Sequence, residues 1–220
     1  MKQPSKSVVG YDRLAPWYQI LERLLFGDRL NRARTALVDR LPAATKVLVL
    51  GDGDGRLLEC LVRRRPECTF ISIDQSPQMV AMQKRRLDAL GDHQVEFICH
   101  DVRHYPLPAN DFHLIVTAFF LDCFTKEQLA QHLPTWIDSI VDEGHLYLVD
   151  FIRPKRGWRI IQSSIYQWIM HRFFRWQTGL ENKTLVDLEG VLVNLPIDLV
   201  EAADDVHPMM TSRLYRVTRP

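Results

Sequence analysis

The chain has 220 residues, enough for one well-cored domain and short for two. Hydrophobic residues make up 46% and charged residues 25%, and 28 basic against 27 acidic side chains leave a net charge of +1. That is the balance of an ordinary soluble globular protein, and it gives no global electrostatic case for nucleic acid.

The cysteines, Cys60, Cys68, Cys99 and Cys123, form no C-x-x-C pair and have no histidines at zinc spacing. They predict reduced thiols and a cytoplasmic address rather than a disulfide framework. Cys60, Cys99 and Cys123 lie in apolar runs and are expected in the core. The opening stretch MKQPSKSVVGYDRLAPWY lacks an apolar h-region, and nowhere is there a run of roughly 18 uncharged apolar residues. A soluble protein is expected, able to touch a membrane surface but not to span it.

In chain order, LAPWYQILERLLFG and DRLNRARTALVDRL read as helices, the second ending at Pro42. KVLVLG (46–51) reads as a strand, and RLLECLVRR (56–64) as a helix that stops before Pro66. CTFISID (68–74) is the next strand. SPQMVAMQKRRLDAL (76–90) is a helix with Ser76 as N-cap, Pro77 in its first turn and Gly91 past its end. VEFICHD (95–101) and FHLIVTAF (112–119) are strands, KEQLAQHLPTWIDSIV (126–141) a helix, Gly144 a turn, and HLYLVDF (145–151) a fifth strand. A short helix near 185–194 precedes IDLVEAADDV and SRLYRVTR, which read as a hairpin-like pair at one sheet edge. Strands separated by helical segments imply βαβ crossovers. The fold expected is α/β and Rossmann-like: a doubly wound seven-stranded sheet, mostly parallel with an antiparallel edge, and helices on both faces.

The first strand ends in Gly51-Asp52-Gly53-Asp54-Gly55. Glycines here let the backbone turn sharply and come close to a ligand. A dinucleotide fingerprint would place the third glycine five residues after the first, whereas here it is four, and Asp52 and Asp54 would repel a pyrophosphate. No G-K-[ST] follows, so a Walker loop is excluded too. A ligand without phosphate is expected.

Asp74 closes the second strand about 20 residues on, where a carboxylate can accept both hydroxyls of a ribose. That placement suits a nicotinamide cofactor or S-adenosylmethionine alike. At the end of the third strand, Asp101 and Val102 can bond an exocyclic adenine amine and cover its ring. The fourth strand runs into Thr117-Ala118-Phe119-Phe120-Leu121-Asp122 at the mouth of the same crevice.

With these motifs in this order, the chain resembles the class I S-adenosylmethionine-dependent methyltransferases. LGDGDG stands at their first motif, FISIDQSPQMV at the ribose motif, CHDV at the adenine motif, DFHLIVTAFFLDCF at the fourth, and HLYLVDF at their fifth strand. The resemblance covers roughly residues 40–151 well and the tail loosely. It implies S-adenosylmethionine as cofactor and S-adenosylhomocysteine as product. It places Gly51, Gly53 and Gly55 around the methionine portion, Asp74 on the ribose, and Gln75, Ser76 and Met79 around the adenosine. Asp101 and Val102 frame the adenine, and Thr117 touches the cofactor from the fourth strand. The family often has an acid two residues before the first glycine, where this chain has Val49; Asp52 or a bound water is then the candidate for the methionine ammonium.

YDRLAPWYQIL is similar to the Y-D-x-x-A-x-x-Y opening of relatives of the ubiquinone/menaquinone-biosynthesis methyltransferases, where this segment is a lid. That likeness makes Tyr11 and Tyr18 candidates for cofactor or substrate contact. The expected organisation is a single domain with an N-terminal helical lid over 1–42, a cofactor-binding core over 43–151, a helical insertion covering the acceptor over 152–184, and edge strands over 185–220.

Simpler roles stand beside these. Asp52 and Asp54 could keep a loop solvated, Asp74 and Asp101 could cap helices or turns, and Asp122 could be an N-terminal helix charge. His100 and His104 are four apart but precede Pro106 in a strand-to-loop segment, so no metal is expected. If the acceptor must lose a proton, Asp122, His100 and Tyr18 are the candidate bases.

The segment 153–179 holds Arg153, Lys155, Arg156, Arg159, Arg172 and Arg175 with Trp158, Trp168, Phe173 and Trp176 and no acid. It reads as a helical cover with snorkelling arginines, as a wall of a pocket for a lipid-like acceptor, or as a peripheral membrane contact. The expected reaction is methyl transfer to a small, apolar or amphipathic acceptor. N-methylation of a lipid or other amine is the alternative chemistry, and a non-catalytic cofactor-binding regulator or assembly partner the alternative class.

Overall fold

The computed structural model describes residues 28–152, 186–204 and 209–219. Its helices are α1 (Arg29–Thr35), α2 (Arg56–Arg64), α3 (Pro77–Asp88), α4 (Lys126–Asp138) and α5 (Leu188–Leu192). Its strands are β1 (Lys46–Leu50), β2 (Thr69–Asp74), β3 (Val95–Cys99), β4 (Phe112–Ala118), β5 (Ile140–Phe151), β6 (Ile197–Ala202) and β7 (Met210–Val217). They form one sheet in the order β3-β2-β1-β4-β5-β7-β6. The first five are parallel, and β7 runs antiparallel to both β5 and β6.

The alternation of β1 explains the layering. Val47 and Val49 share one core with Leu57 and Leu61 of α2, Leu37 after α1 and Leu87 of α3. Leu48 and Leu50 share another with Leu129, Leu133 and Trp136 of α4 and Leu192 of α5. Successive strand side chains point to opposite faces, so an unbroken apolar run is what a strand covered on both sides requires. All four of these β1 side chains are fully buried, each worth about 1.5–3 kcal/mol over exposure. Helices therefore lie on both faces, and the strand order reverses between β1 and β4. In such sheets the crevice beyond the carboxyl ends at that reversal is where ligands bind.

Local signals set the ends. The Ser76 hydroxyl accepts from the Met79 N–H at 3.2 Å, with Pro77 next to it. Thr125 and Gln128 form a reciprocal capping box on α4.

Several sequence expectations shift. The helix expected over 126–141 stops at Asp138, where the Ser139 hydroxyl turns back to the Trp136 carbonyl at 2.7 Å. Ile140 and Val141 instead begin β5, because Ile140 pairs with Phe112. Gly144 is therefore not a turn between elements. It sits inside β5 where the pairing with β4 shifts register, and a side chain there would collide with Ile140 and Val141. The second opening helix keeps only Arg29–Thr35 plus a 3₁₀ turn at Val38–Arg40. The edge pair forms as β6 and β7, with β7 inserted beside β5. Cys99, expected in the core, is exposed, since it closes β3 on the sheet margin; Cys60 and Cys123 are half-buried, Cys68 is the buried one, and none of the four forms a disulfide.

Of the lid expected over 1–42, residues 28–42 are described, and Leu30, Ala33, Leu37 and Leu41 are buried there in the core shared with α2. Residues 1–27, with Tyr11 and Tyr18, and the aromatic-basic stretch 153–179 lie outside the described residues. No helix among the described residues is long and apolar enough to cross a membrane.

Candidate cofactor site

The glycine turn leaves β1 with Gly51, Gly53 and Gly55 at φ +63°, +65° and +84°. That left-handed region suits glycine and strains other residues. Each glycine has a different neighbour. A methyl group on Gly51 would overlap the Phe120 ring, and one on Gly55 would come within 3.0 Å of the Gln83 Cα, whereas one on Gly53 would meet nothing within 4 Å. The middle of the turn thus faces open space while its two ends are pressed against β4's exit and α3.

Two neighbours pin the turn. The Gly53 N–H donates to Asp74 Oδ2 at 3.3 Å, and Gln83 Nε2 donates to the Gly53 carbonyl at 2.9 Å. Gln83 is in turn held by the Ser72 hydroxyl at 2.8 Å, and both residues are fully buried.

The two acids within the turn differ. Asp54 is buried against Arg56 at 2.9 Å and Arg86 at 3.4 Å, and Arg86 also donates to the Asp54 carbonyl and to Glu59. It ties the turn to α2 and α3. Asp52 accepts from the Leu58 N–H through Oδ2 at 2.9 Å, filling an orphan donor of α2's first turn. Its Oδ1 is buried with no hydrogen-bond partner. Burial pushes the Asp52 carboxyl up to about 7; the Leu58 N–H works against this, Asp54 adds to it, and Arg34 and Arg56 oppose it.

On β2, Asp74 Oδ1 also accepts from the Ser76 N–H at 2.9 Å. The Ser76 hydroxyl is spent on the α3 cap, Met79 is buried in that helix's inner face, and Gln75 is half-buried beside them. At the end of β3, Asp101 caps a 3₁₀ turn through the Arg103 N–H and is clasped by the Arg103 guanidinium at 2.6 Å. Partial burial works against its charge, but the Arg103 bonds win and hold its carboxyl below the usual range. Val102 is buried, while His100 is exposed with its ring edge-on to Tyr105 at 5.5 Å.

On β4, Thr117 pairs with Leu50 of β1, and its buried hydroxyl oxygen has no partner. Phe119 follows at φ +53°, an outlier for a bulky residue. Its ring packs on Phe151 at 4.8 Å and carries the buried Arg34 guanidinium at 5.2 Å. Beyond it the fully buried Asp150, at the end of β5, accepts from the N–H groups of Leu121, Asp122 and Phe151. Burial pushes Asp122 up to about 6 and Asp150 well above its ordinary value, and the Asp122 charge adds to the rise at Asp150.

The expected Gly51, Asp52, Gly53, Gly55, Asp74, Gln75, Ser76, Met79, Thr117 and Asp122 lie at or just beyond the carboxyl ends of β1, β2 and β4. Asp101 and Val102 stand one strand further out, with His100 on the exposed rim. Gln83, Arg86 and Asp150 were not anticipated, and Phe120 was placed at the crevice mouth without a role. Asp150 carried a readable signal, an acid closing an apolar strand as Asp74 does; Gln83 carried a weaker one, a polar residue on the buried stripe Met79, Val80, Leu87.

Residues 47–144 match the family described as "Methyltransferase domain". A demethylmenaquinone methyltransferase from Thermus thermophilus is 31% identical over 149 residues, 67% of this chain and 66% of that protein. The chain belongs to the class I S-adenosylmethionine-dependent methyltransferases. A trans-aconitate 2-methyltransferase from Methylobacterium nodulans is 35% identical over 85 residues, 38% of this chain and 33% of that protein. The matched stretches span no more than two thirds of either relative. Among solved structures, the N-methyltransferase NodS from Bradyrhizobium japonicum WM9 in complex with S-adenosylhomocysteine superposes with a TM-score of 0.62. That likeness, at 16% identity over 98% of this chain and 100% of that one, concerns the fold.

The residues of this class I methyltransferase fit the family's cofactor. S-adenosylmethionine carries a sulfonium and an ammonium but no phosphate, and the acids Asp52, Asp74 and Asp122 suit a cation. Two buried oxygens, Asp52 Oδ1 and Thr117 Oγ1, lack protein partners at the carboxyl ends of adjacent strands. Buried polar atoms are nearly always paired, so two orphans in one crevice point to a polar ligand. Among the described residues no group of His, Cys, Asp and Glu is arranged to hold a metal ion.

Proposed function

We propose that the chain transfers the methyl group of S-adenosylmethionine to a small, apolar or amphipathic acceptor. The observation that carries the cofactor site is the Gly51–Gly55 turn, open at Gly53 and tied to Asp74. Gly51, Gly53 and Gly55 border the methionine portion, with Asp52 and Thr117 supplying oxygens to it. Asp74 takes the ribose; a carboxylate accepts about four hydrogen bonds, so those from Gly53 and Ser76 do not exclude it. Gln75, Ser76 and Met79 flank the adenosine, and Asp101 and Val102 the adenine.

The bound sulfonium supplies the electrophilic methyl. The chain's task is to hold the acceptor's nucleophilic atom in line with it and exclude water. The Phe120 ring, pressed against Gly51, borders the turn on the side where β4 ends. Where the acceptor carries a proton, Asp122 is the favoured base of the three candidates. It is half-buried, and its carboxyl is pushed up to about 6, near the pH at which a base works best. His100, exposed beside Tyr105, is further out, and Tyr18 is a candidate from its sequence likeness alone.

The apolar acceptor is supported by the aromatic and basic composition of 153–179, which suits a lipid-like molecule and a membrane surface. The Thermus relative, named for demethylmenaquinone, agrees with it. Thermal melting with S-adenosylhomocysteine and with NAD tests the cofactor: the first stabilises the protein and NAD does not, whereas stabilisation by NAD alone contradicts the proposal. A screen of quinols, amines and small carboxylic acids with labelled cofactor tests the acceptor. Labelling of quinols is expected, and labelling confined to amines or acids would overturn the apolar assignment.

A further inference from the structure

Resting on that reading of the crevice, one atom can be given a more specific task. Where the family often has an acid, two residues before the first glycine, this chain has Val49, fully buried in the core shared with α2. No acid can act from there. Of the acids in the turn, Asp54 is consumed by Arg56 and Arg86. Asp52 is different: one oxygen holds Leu58 N–H, and the other is buried and unpartnered.

We infer that Asp52 Oδ1 is the anchor for the ammonium of the cofactor's amino-acid end, and that Asp52 gives up a proton to solvent as the ammonium arrives. A charge-assisted hydrogen bond from the ammonium satisfies the orphan oxygen and stabilises the carboxylate that burial disfavours. The charged and titratable groups acting on Asp52 are Arg34 of α1, Asp54 of the turn, and Arg56 and Cys60 of α2. Their sum, with burial, leaves the carboxyl titrating at about 7 before the ligand binds. An ammonium beside it lowers that value. The affinity for an ammonium-bearing ligand therefore rises with pH as far as about 7, by at most tenfold per pH unit, and then levels.

Calorimetry on the whole chain tests this with two probes. S-adenosylhomocysteine carries the ammonium, and 5′-methylthioadenosine shares the adenosine but lacks the amino-acid end. About one pH unit below the Asp52 titration, in buffers of different ionisation enthalpy, most of one proton is released per S-adenosylhomocysteine and none per methylthioadenosine. Asp52→Asn keeps an oxygen for the Leu58 N–H. It is expected to weaken S-adenosylhomocysteine about ten- to a hundredfold, abolish proton release and leave methylthioadenosine unchanged. Wild-type binding without proton release overturns the inference. So does an Asp52→Asn variant that loses both ligands equally, which would mean that Asp52 only shapes the turn. If neither ligand binds the wild type, it is the cofactor reading itself that fails.

Discussion

Gln83 donates its side-chain amide to the Gly53 carbonyl at 2.9 Å while accepting the Ser72 hydroxyl. One buried side chain of α3 thereby fixes the middle glycine of the turn to β2. Gln83→Leu keeps the volume but leaves a buried carbonyl and a buried hydroxyl without partners, at about 1–3 kcal/mol each. Denaturant melts are expected to show a loss of about 2–6 kcal/mol, together with weaker binding of S-adenosylhomocysteine.

Gly51 and Phe120 form the second constraint on the turn. Gly51→Ala adds a methyl where the Phe120 ring lies and a backbone cost of about 1–2 kcal/mol at φ +63°. The double variant Gly51→Ala/Phe120→Ala should recover the steric part and keep the backbone part. Thermal melts in a double-mutant cycle then give a coupling of about 1 kcal/mol or more. Additive losses would mean that the ring yields freely.

Asp122 makes stability depend on pH. Its folded-state value of about 6 lies above the ordinary 3.8, so the protonated form is the favoured one in the folded chain. Its contribution is fully present below about 4 and is lost as pH rises through about 6. Asp122→Asn removes this loss and also relieves Asp150, whose own value the Asp122 charge raises. Melting temperatures of variant and wild type should converge near pH 4 and diverge in favour of the variant toward pH 7.

Asp74 holds the turn and, in the proposed function, the ribose. Asp74→Ala is expected to weaken S-adenosylhomocysteine by tenfold or more, in line with the loss of charged hydrogen bonds. Unchanged affinity in a titration would remove the ribose assignment.

The sheet was legible because KVLVLG, CTFISID and FHLIVTAF are apolar on both faces and are separated by amphipathic stretches with their own caps, Ser76-Pro77 among them. The acids closing β2 and β3 were legible for the same reason, since strand ends are where a parallel sheet binds. What escaped was decided by which faces meet. The Gln83–Gly53 bond and the Arg86–Asp54 pair join residues about 30 apart in sequence, and no local pattern encodes that meeting. Ile140 and Val141 continue the apolar period of α4, so only their pairing with β4 assigns them to β5.

A crystal structure with S-adenosylhomocysteine tests the placement of the cofactor most directly. The ligand is expected beyond the carboxyl ends of β1, β2 and β4, its ribose hydroxyls on Asp74 and its ammonium on Asp52 Oδ1. Density for the ligand elsewhere, or in the crevice with the ribose away from Asp74, would contradict it.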